Sequence, residues 1–197
     1  MAPEPPLIVI AAGGDGSRIG GDKPARLLAG ERLIDRTCAW ARQHSDAVAL
    51  AVRPGNGDWG TGLPQLFDAQ AGIGPISALA SALHEGARLN RAAVLMVGCD
   101  LPFLPADLVP RLSAALPDHG AAMPVSSGRL HPMAALWRSA PDALDRWMAG
   151  GGQSLWRFAE AIGMAPVEWS ETPEPFANVN DAAALAAAEE RIRTAGY

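Results

Sequence analysis

The stretch "IVIAAGGDGSRIGGDK", Ile8 to Lys23, sets an apolar run against a loop with glycines at 13, 14, 16, 20 and 21. The run "LIVIAA", Leu7 to Ala12, carries no polar residue, the pattern of a strand covered on both faces. Glycines placed after such a strand let backbone N–H groups close on an anion and permit positive φ. Arg18 offers a planar fork to phosphate oxygens, and Lys23 a mobile point charge. A plain glycine turn requires neither cation.

Two familiar phosphate-binding templates fail on their offsets. The P-loop needs a lysine directly after its last glycine, then Ser or Thr. Here Asp22 intervenes after Gly21, and Pro24 follows Lys23. The dinucleotide fingerprint needs G-x-G-x-x-G. Here Gly14-Asp15-Gly16 is followed by three residues before Gly20. What remains is a cationic glycine loop of another kind.

Outward from this loop, the hydrophobic period keeps switching. Segments 47–52, 92–99, 121–125, 131–137 and 165–169 read as strands; "AAVLMVGC" (92–99) is the most apolar, and Asp100 stands at its end. Helices are expected at 31–44, 76–87, 105–116, 140–148 and 154–162, and from Asp181, a helix cap, to about 195. Strands alternating with helices predict an α/β fold around a mainly parallel sheet, as one domain spanning 1–197. Ligands of such sheets sit beyond the carboxyl ends of the strands, which puts the glycine loop and Asp100 on one edge.

The bulk numbers agree. Hydrophobic residues make up 49% and charged residues 19%, a globular composition. A net charge of −5 disfavours a nucleic-acid partner. Cys38 and Cys99 lack metal or disulfide spacing and read as reduced thiols. The first apolar run is too short to span a membrane, so a cytoplasmic protein is expected.

Four segments, in order, carry a family resemblance: "AAGGDGSRIGGDKP", "GIGPISALASAL" (72–83), "VGCDLPFLPADLV" (97–109) and "FANVND" (176–181). Together they resemble the molybdopterin nucleotidyltransferases, most closely the molybdenum cofactor guanylyltransferases. The resemblance implies a three-layer Rossmann-like nucleotidyltransferase fold. It implies an Mg²⁺-dependent transfer of GMP from GTP to the terminal phosphate of molybdopterin, with release of pyrophosphate and transient contact with molybdoenzymes or their chaperones. By position, Ala12, Gly13 and Gly14 would cradle the nucleotide, and Arg18 and Lys23 would meet its phosphates. Asp68 would contact the nucleotide, Asp100 would hold Mg²⁺, and Asn178 and Asn180 would lie near the acceptor.

Some residues depart from that pattern or stay open. Asp15 sits where the family often has a basic or small residue, and is expected to point away from the phosphates. Ile19 replaces a usual Met, and Arg53 and Asn56 align only loosely with an Asn-Arg pair. His131, Arg129 and Trp137 are candidates for the acceptor side; for His131 a purely structural role is an equal alternative. His44, His84 and His119 read as surface residues, and Trp40, Trp147 and Trp156 as core. A cytidylyltransferase for the same acceptor is the nearest rival, and other small nucleotidyltransferases, a non-catalytic nucleotide-binding module and an NAD-dependent reductase are further ones.

Overall fold

The computed structural model describes residues 4–12, 23–55, 57–68 and 73–195. Gly13, Gly14, Asp15, Arg18, Ile19 and Asn56 lie outside the described residues.

The elements follow the chain as β1 (Leu7–Ala11), β2 (Leu27–Leu28), β3 (Glu31–Arg32), α1 (Leu33–His44), β4 (Val48–Val52), β5 (Gln65–Phe67), α2 (Pro75–Arg88) and β6 (Ala93–Gly98). Then come α3 (Leu108–Ala115), β7 (Ala121–Ser126), β8 (Arg129–Leu130), β9 (Ala134–Arg138), α4 (Pro141–Ala149), α5 (Leu155–Ala161), β10 (Met164–Trp169) and α6 (Ala182–Ala195). A 3₁₀ turn, Lys23–Ala25, precedes β2.

The main sheet runs β10-β7-β9-β6-β1-β4-β5, with β8 beside β7. β1 pairs in parallel with both β4 and β6, and β5 joins β4 in parallel. β9 runs antiparallel between β6 and β7, and β10 is parallel to β7. All the strands except β8 and β9 therefore point the same way, so the expected mainly parallel sheet is what the chain forms. The antiparallel β9 is the short return the chain needs after the β7–β8 hairpin.

Alternation along each strand builds the layers. Ile8, Ile10, Leu50, Val52, Leu95 and Val97 face α1 and α3, through Ile34, Cys38, Leu108 and Leu112. Leu7, Val9, Ala49, Ala51, Val94 and Met96 face α2, α4 and α5, through Ile76, Leu79, Leu83, Leu144 and Phe158. A fully buried Ile or Leu side chain is worth about 1.5–3 kcal/mol over exposure. Two such faces explain why β1 and β6 carry no polar residue. A third cluster holds α6 to the β2–β3 hairpin, through Leu28, Leu33, Val179, Ala188 and Ile192.

Several boundaries differ from the sequence reading. The helix expected from 105 begins at Leu108, because Pro105 to Asp107 form a turn first. The strand expected from 131 begins at Ala134. Strands β2, β3, β5 and β8 were not anticipated; each is too short for a periodic signal. Trp156 is 42% exposed rather than core. His44 is half-buried with its ring nitrogens on the Trp40 and Ala106 carbonyls, so it is not a plain surface residue. No described helix is long and apolar enough to cross a membrane.

Candidate active site

Four parallel strands, β5, β4, β1 and β6, end on one edge, and their next residues form one cleft. Asp68 follows β5, Arg53 follows β4, Ala11 ends β1, and Cys99 and Asp100 follow β6. All line a cleft of about 230 Å³, together with Lys23, Gly74, Pro75, Ala78, Gly98 and Met133. After β1 the chain moves to one side, to β4 and β5, and later returns to the other side with β6. This reversal of strand order is where such sheets bind ligands.

The floor is set by backbone bonds. The Ala12 N–H donates to Ala51 O (3.0 Å), and the Cys99 N–H donates to Ala11 O (3.2 Å). These bonds carry the ladders past their last strand residues and fix Asp100 just beyond. Gly74, with φ +81°, turns the chain into α2 at Pro75. A residue with a Cβ is strained in that conformation.

Lys23 and Asp100 meet across the cleft. Lys23 Nζ lies 2.6 Å from Asp100 Oδ2, with side chains 15% and 19% exposed. The same ammonium donates to Asn180 Oδ1. The Asp100 carbonyl accepts from the Val179 N–H at 2.9 Å, so the segment after β10 is bonded to Asp100 on its backbone as well. Along that segment Asn178 and Asn180 are exposed and Val179 is buried, the alternation of an extended chain. Asp100 caps no helix, since α3 starts eight positions later at Leu108. A Cβ at Gly98 would overlap Asp100 Oδ1, so the carboxylate sits where only glycine leaves room.

Asp68 is half-buried, and its N–H donates to Val52 O at 3.2 Å. Burial pushes its carboxyl up, and Arg53 opposes that. Of the expected site residues described, Ala12, Lys23, Asp68, Asp100 and Asn180 converge on this edge, and Asn178 lies on the same loop. Gly98, Met133 and Ala51 were missed. Gly98 had a readable signal, a small residue two places before a strand-end carboxylate; the other two show none in the sequence.

A second polar cluster lies farther along the same edge, past the end of β7. Glu174 Oε1 accepts from Ser126 Oγ (2.6 Å) and from the Phe176 N–H (2.9 Å), and Oε2 accepts from Ser127 Oγ (3.3 Å). The Ser126 hydroxyl spends its proton on Glu174, so His131 Nε2, 2.7 Å from Ser126 Oγ, is the donor there. His131 also stacks on Phe176, ring centres 4.8 Å apart. Its surroundings are therefore those of a positioning clamp. Burial pushes the imidazole down, against the upward pull of Glu174. Arg129 is exposed on the β7–β8 hairpin.

Burial alone would raise the Glu174 carboxyl, but hydrogen bonds from Ser126 and the Phe176 N–H outweigh it and hold the group below its usual range. A depressed carboxyl stabilises the fold above the unfolded value, about 4.3, and that contribution is lost as pH falls through the folded value. Glu174→Gln is therefore expected to cost about 0.5–1 kcal/mol at neutral pH, and the gap should close toward pH 3. Urea unfolding of both proteins at the two pH values measures it. A gap that persists in acid removes the carboxylate charge from the clamp.

Trp137 belongs to the opposite end of the sheet. It pairs with Val94 and Ala121, is fully buried, and stacks on Phe158 at 5.9 Å. The expectation that it faces an acceptor is overturned: antiparallel β9 starts at the site and carries Trp137 away from it.

A doubly flanked α/β sheet with a charged cleft at its strand-order reversal defines a nucleotide-binding α/β protein. Residues 8–167 match the MobA-like NTP transferase domain, and the chain belongs to that family. It is 39% identical over 188 residues to a molybdenum cofactor guanylyltransferase of Rhodobacter capsulatus, covering 94% of this chain and 95% of that one. It is 37% identical to a protein of the same name from Acidiphilium cryptum, covering 92% of each. Among solved structures, molybdopterin-guanine dinucleotide biosynthesis protein A from Archaeoglobus fulgidus superposes with a TM-score of 0.75 at 18% identity, over 95% of this chain and 99% of that one. The 2-C-methyl-D-erythritol 4-phosphate cytidylyltransferase of Thermus thermophilus does so with 0.69 at 22% identity, over 95% and 99%. The fold is thus the Rossmann-like nucleotidyltransferase fold expected from the sequence.

Proposed function

We propose that this protein transfers GMP from GTP to the terminal phosphate of molybdopterin, releasing pyrophosphate and leaving a guanine dinucleotide form of the cofactor. The observation that carries the reading is the Lys23–Asp100 pair at the carboxyl edge, where β1 ends. Relatives called molybdenum cofactor guanylyltransferase, aligned over nearly the whole chain, support the choice of base and acceptor.

The acceptor phosphate is already ionised at neutral pH, so the transfer needs alignment and charge neutralisation rather than a general base. Ala12, Gly13 and Gly14 would form the backbone cradle for the nucleotide, with the Ala12 N–H already spent on Ala51 O. Arg18 and Lys23 would stabilise the phosphates as pyrophosphate leaves. Asp68 would contact the nucleotide, and Asn178 and Asn180 would bound the acceptor side.

Among the described residues no three His, Cys, Asp or Glu side chains cluster to make a closed metal cage. The carboxylates of the cleft, Asp100 and Asp68, instead suit Mg²⁺, which takes one or two carboxylates and completes its shell with substrate phosphates and water. Asp100 would hold it, and the ion when bound would neutralise charge on the phosphate oxygens. We place the activity in the cytoplasm, with transient hand-over of product to molybdoenzymes or their chaperones.

The second reading keeps the acceptor and replaces GTP by CTP. Purified protein with molybdopterin and Mg²⁺ is expected to release pyrophosphate with GTP and at least ~100-fold less efficiently with CTP, the difference a missing set of base hydrogen bonds produces. Turnover with CTP alone would overturn the proposal. Binding of GTP with no pyrophosphate would favour a non-catalytic nucleotide module.

A further inference from the structure

Of the 16 Lys and Arg residues in the chain, only position 23 is a lysine. That single ammonium is lodged between two oxygens of the cleft, Asp100 Oδ2 at 2.6 Å and Asn180 Oδ1. An ammonium is a compact charge on a flexible stem, able to pass between oxygen partners, whereas a guanidinium prefers to stay in a two-pronged grip. Lys23 here occupies the carboxylate a divalent cation would need. Most of both side chains is shielded from water, so the pair is only partly screened.

We propose that Lys23 is a resident counter-ion for Asp100: in the free protein it closes that carboxylate to a divalent cation, and an incoming triphosphate opens it by drawing the ammonium onto its own oxygens. The inference rests on the nucleotidyl-transfer reading of the cleft. One side-chain movement then does three things. It supplies a cation to the phosphates, exposes Asp100, and releases the Asn180 carbonyl on the segment 176–181. Metal alone binds poorly, and metal and triphosphate favour one another, since coupling between two ligands is reciprocal.

The test begins with Mn²⁺ alone as the probe, without nucleotide, titrated by the paramagnetic signal of the free ion. Lys23→Met is expected to bind Mn²⁺ about tenfold tighter than wild type, because a charge-assisted hydrogen bond no longer competes. Adding Asp100→Asn to that variant should remove the gain. Arg53→Met deletes a different cation of the same cleft. If it tightens Mn²⁺ as much as Lys23→Met does, general electrostatics explains the gain and the exchange is overturned. Equal Mn²⁺ affinity in wild type and Lys23→Met overturns it as well.

The wild type carries a second measurement that needs no Lys23 variant. Protein made with ¹³C-labelled lysine gives a single lysine signal. It should shift on addition of GTP with a chelator present, and stay in place when Mn²⁺ is added alone. A signal unmoved by GTP, or displaced by Mn²⁺ alone, overturns the exchange. Absence of guanylyl transfer with these binding results intact would instead sink the transfer reading and leave the exchange standing.

Discussion

Asp100→Ala is expected to lower turnover with GTP and molybdopterin by about 10³-fold or more, while the protein stays folded. The size follows from removing the carboxylate that ends β6 beside Lys23, where it would hold a cation against the phosphates, a contribution worth several kcal/mol in a water-poor cleft. The fold should survive because, among the described residues, the side chain belongs to no core cluster and is held by Lys23. Lys23 keeps Asn180 when the carboxylate is gone. The backbone bond from Val179 to the residue 100 carbonyl is also unaffected. A shift in Tm beyond about 2–4 °C, roughly 1 kcal/mol for a chain of this size, is not expected. Pyrophosphate release and a thermal melt on one preparation decide it. A variant within about tenfold of wild-type turnover would remove Asp100 from the metal position.

The largest effect on stability is expected at Trp137. Trp137→Ala should cost about 3–5 kcal/mol, because a fully buried ring against Phe158 is replaced by a cavity between the sheet and α5. Trp137→Phe should cost about half of that or less. It keeps a stacked ring and loses no hydrogen bond to a described residue, since the Trp137 Nε1 has no partner among the described residues. Denaturant unfolding gives the costs, and titration with GTP gives the control. Nucleotide affinity should be unchanged in the Phe variant, as residue 137 pairs with Val94, at the far end of β6 from Gly98. Weakened GTP binding with stability intact would put the ring back at the site.

These two residues also show where the sequence is readable and where it is not. Asp100 was legible because a buried parallel strand leaves a continuous apolar run, and the first carboxylate past such a run sits at the ligand edge whatever else the chain does. Lys23 was legible from the glycine loop that precedes it, and Asp68 only through the family resemblance, since β5 is too short for a periodic signal. Trp137 was misread for a topological reason. Its strand looks like the others in composition, and nothing local says that β9 runs backwards, so the end of the sequence segment was mistaken for the site end. Gly98 matters through a steric relation to Asp100, and its trace in the sequence is a small residue two places before a strand-end carboxylate. The Glu174 clamp joins positions 126, 131 and 174, and a contact across 48 residues leaves no periodic trace. The helix start at Leu108 was missed because Pro105 suits the first turn of a helix equally well as a turn before one.

The third packing cluster has a consequence for how the unit should be delimited. The family match stops at residue 167, on the last strand. Yet the oxygen that shares Lys23 belongs to Asn180, and Val179, which bonds Asp100, is anchored beneath α6. The stretch that the domain match leaves out therefore holds partners of two cleft residues, Lys23 and Asp100. A unit cut at residue 167 would lose both of these bonds, and the relatives aligned over 94% and 92% of this chain extend beyond that cut.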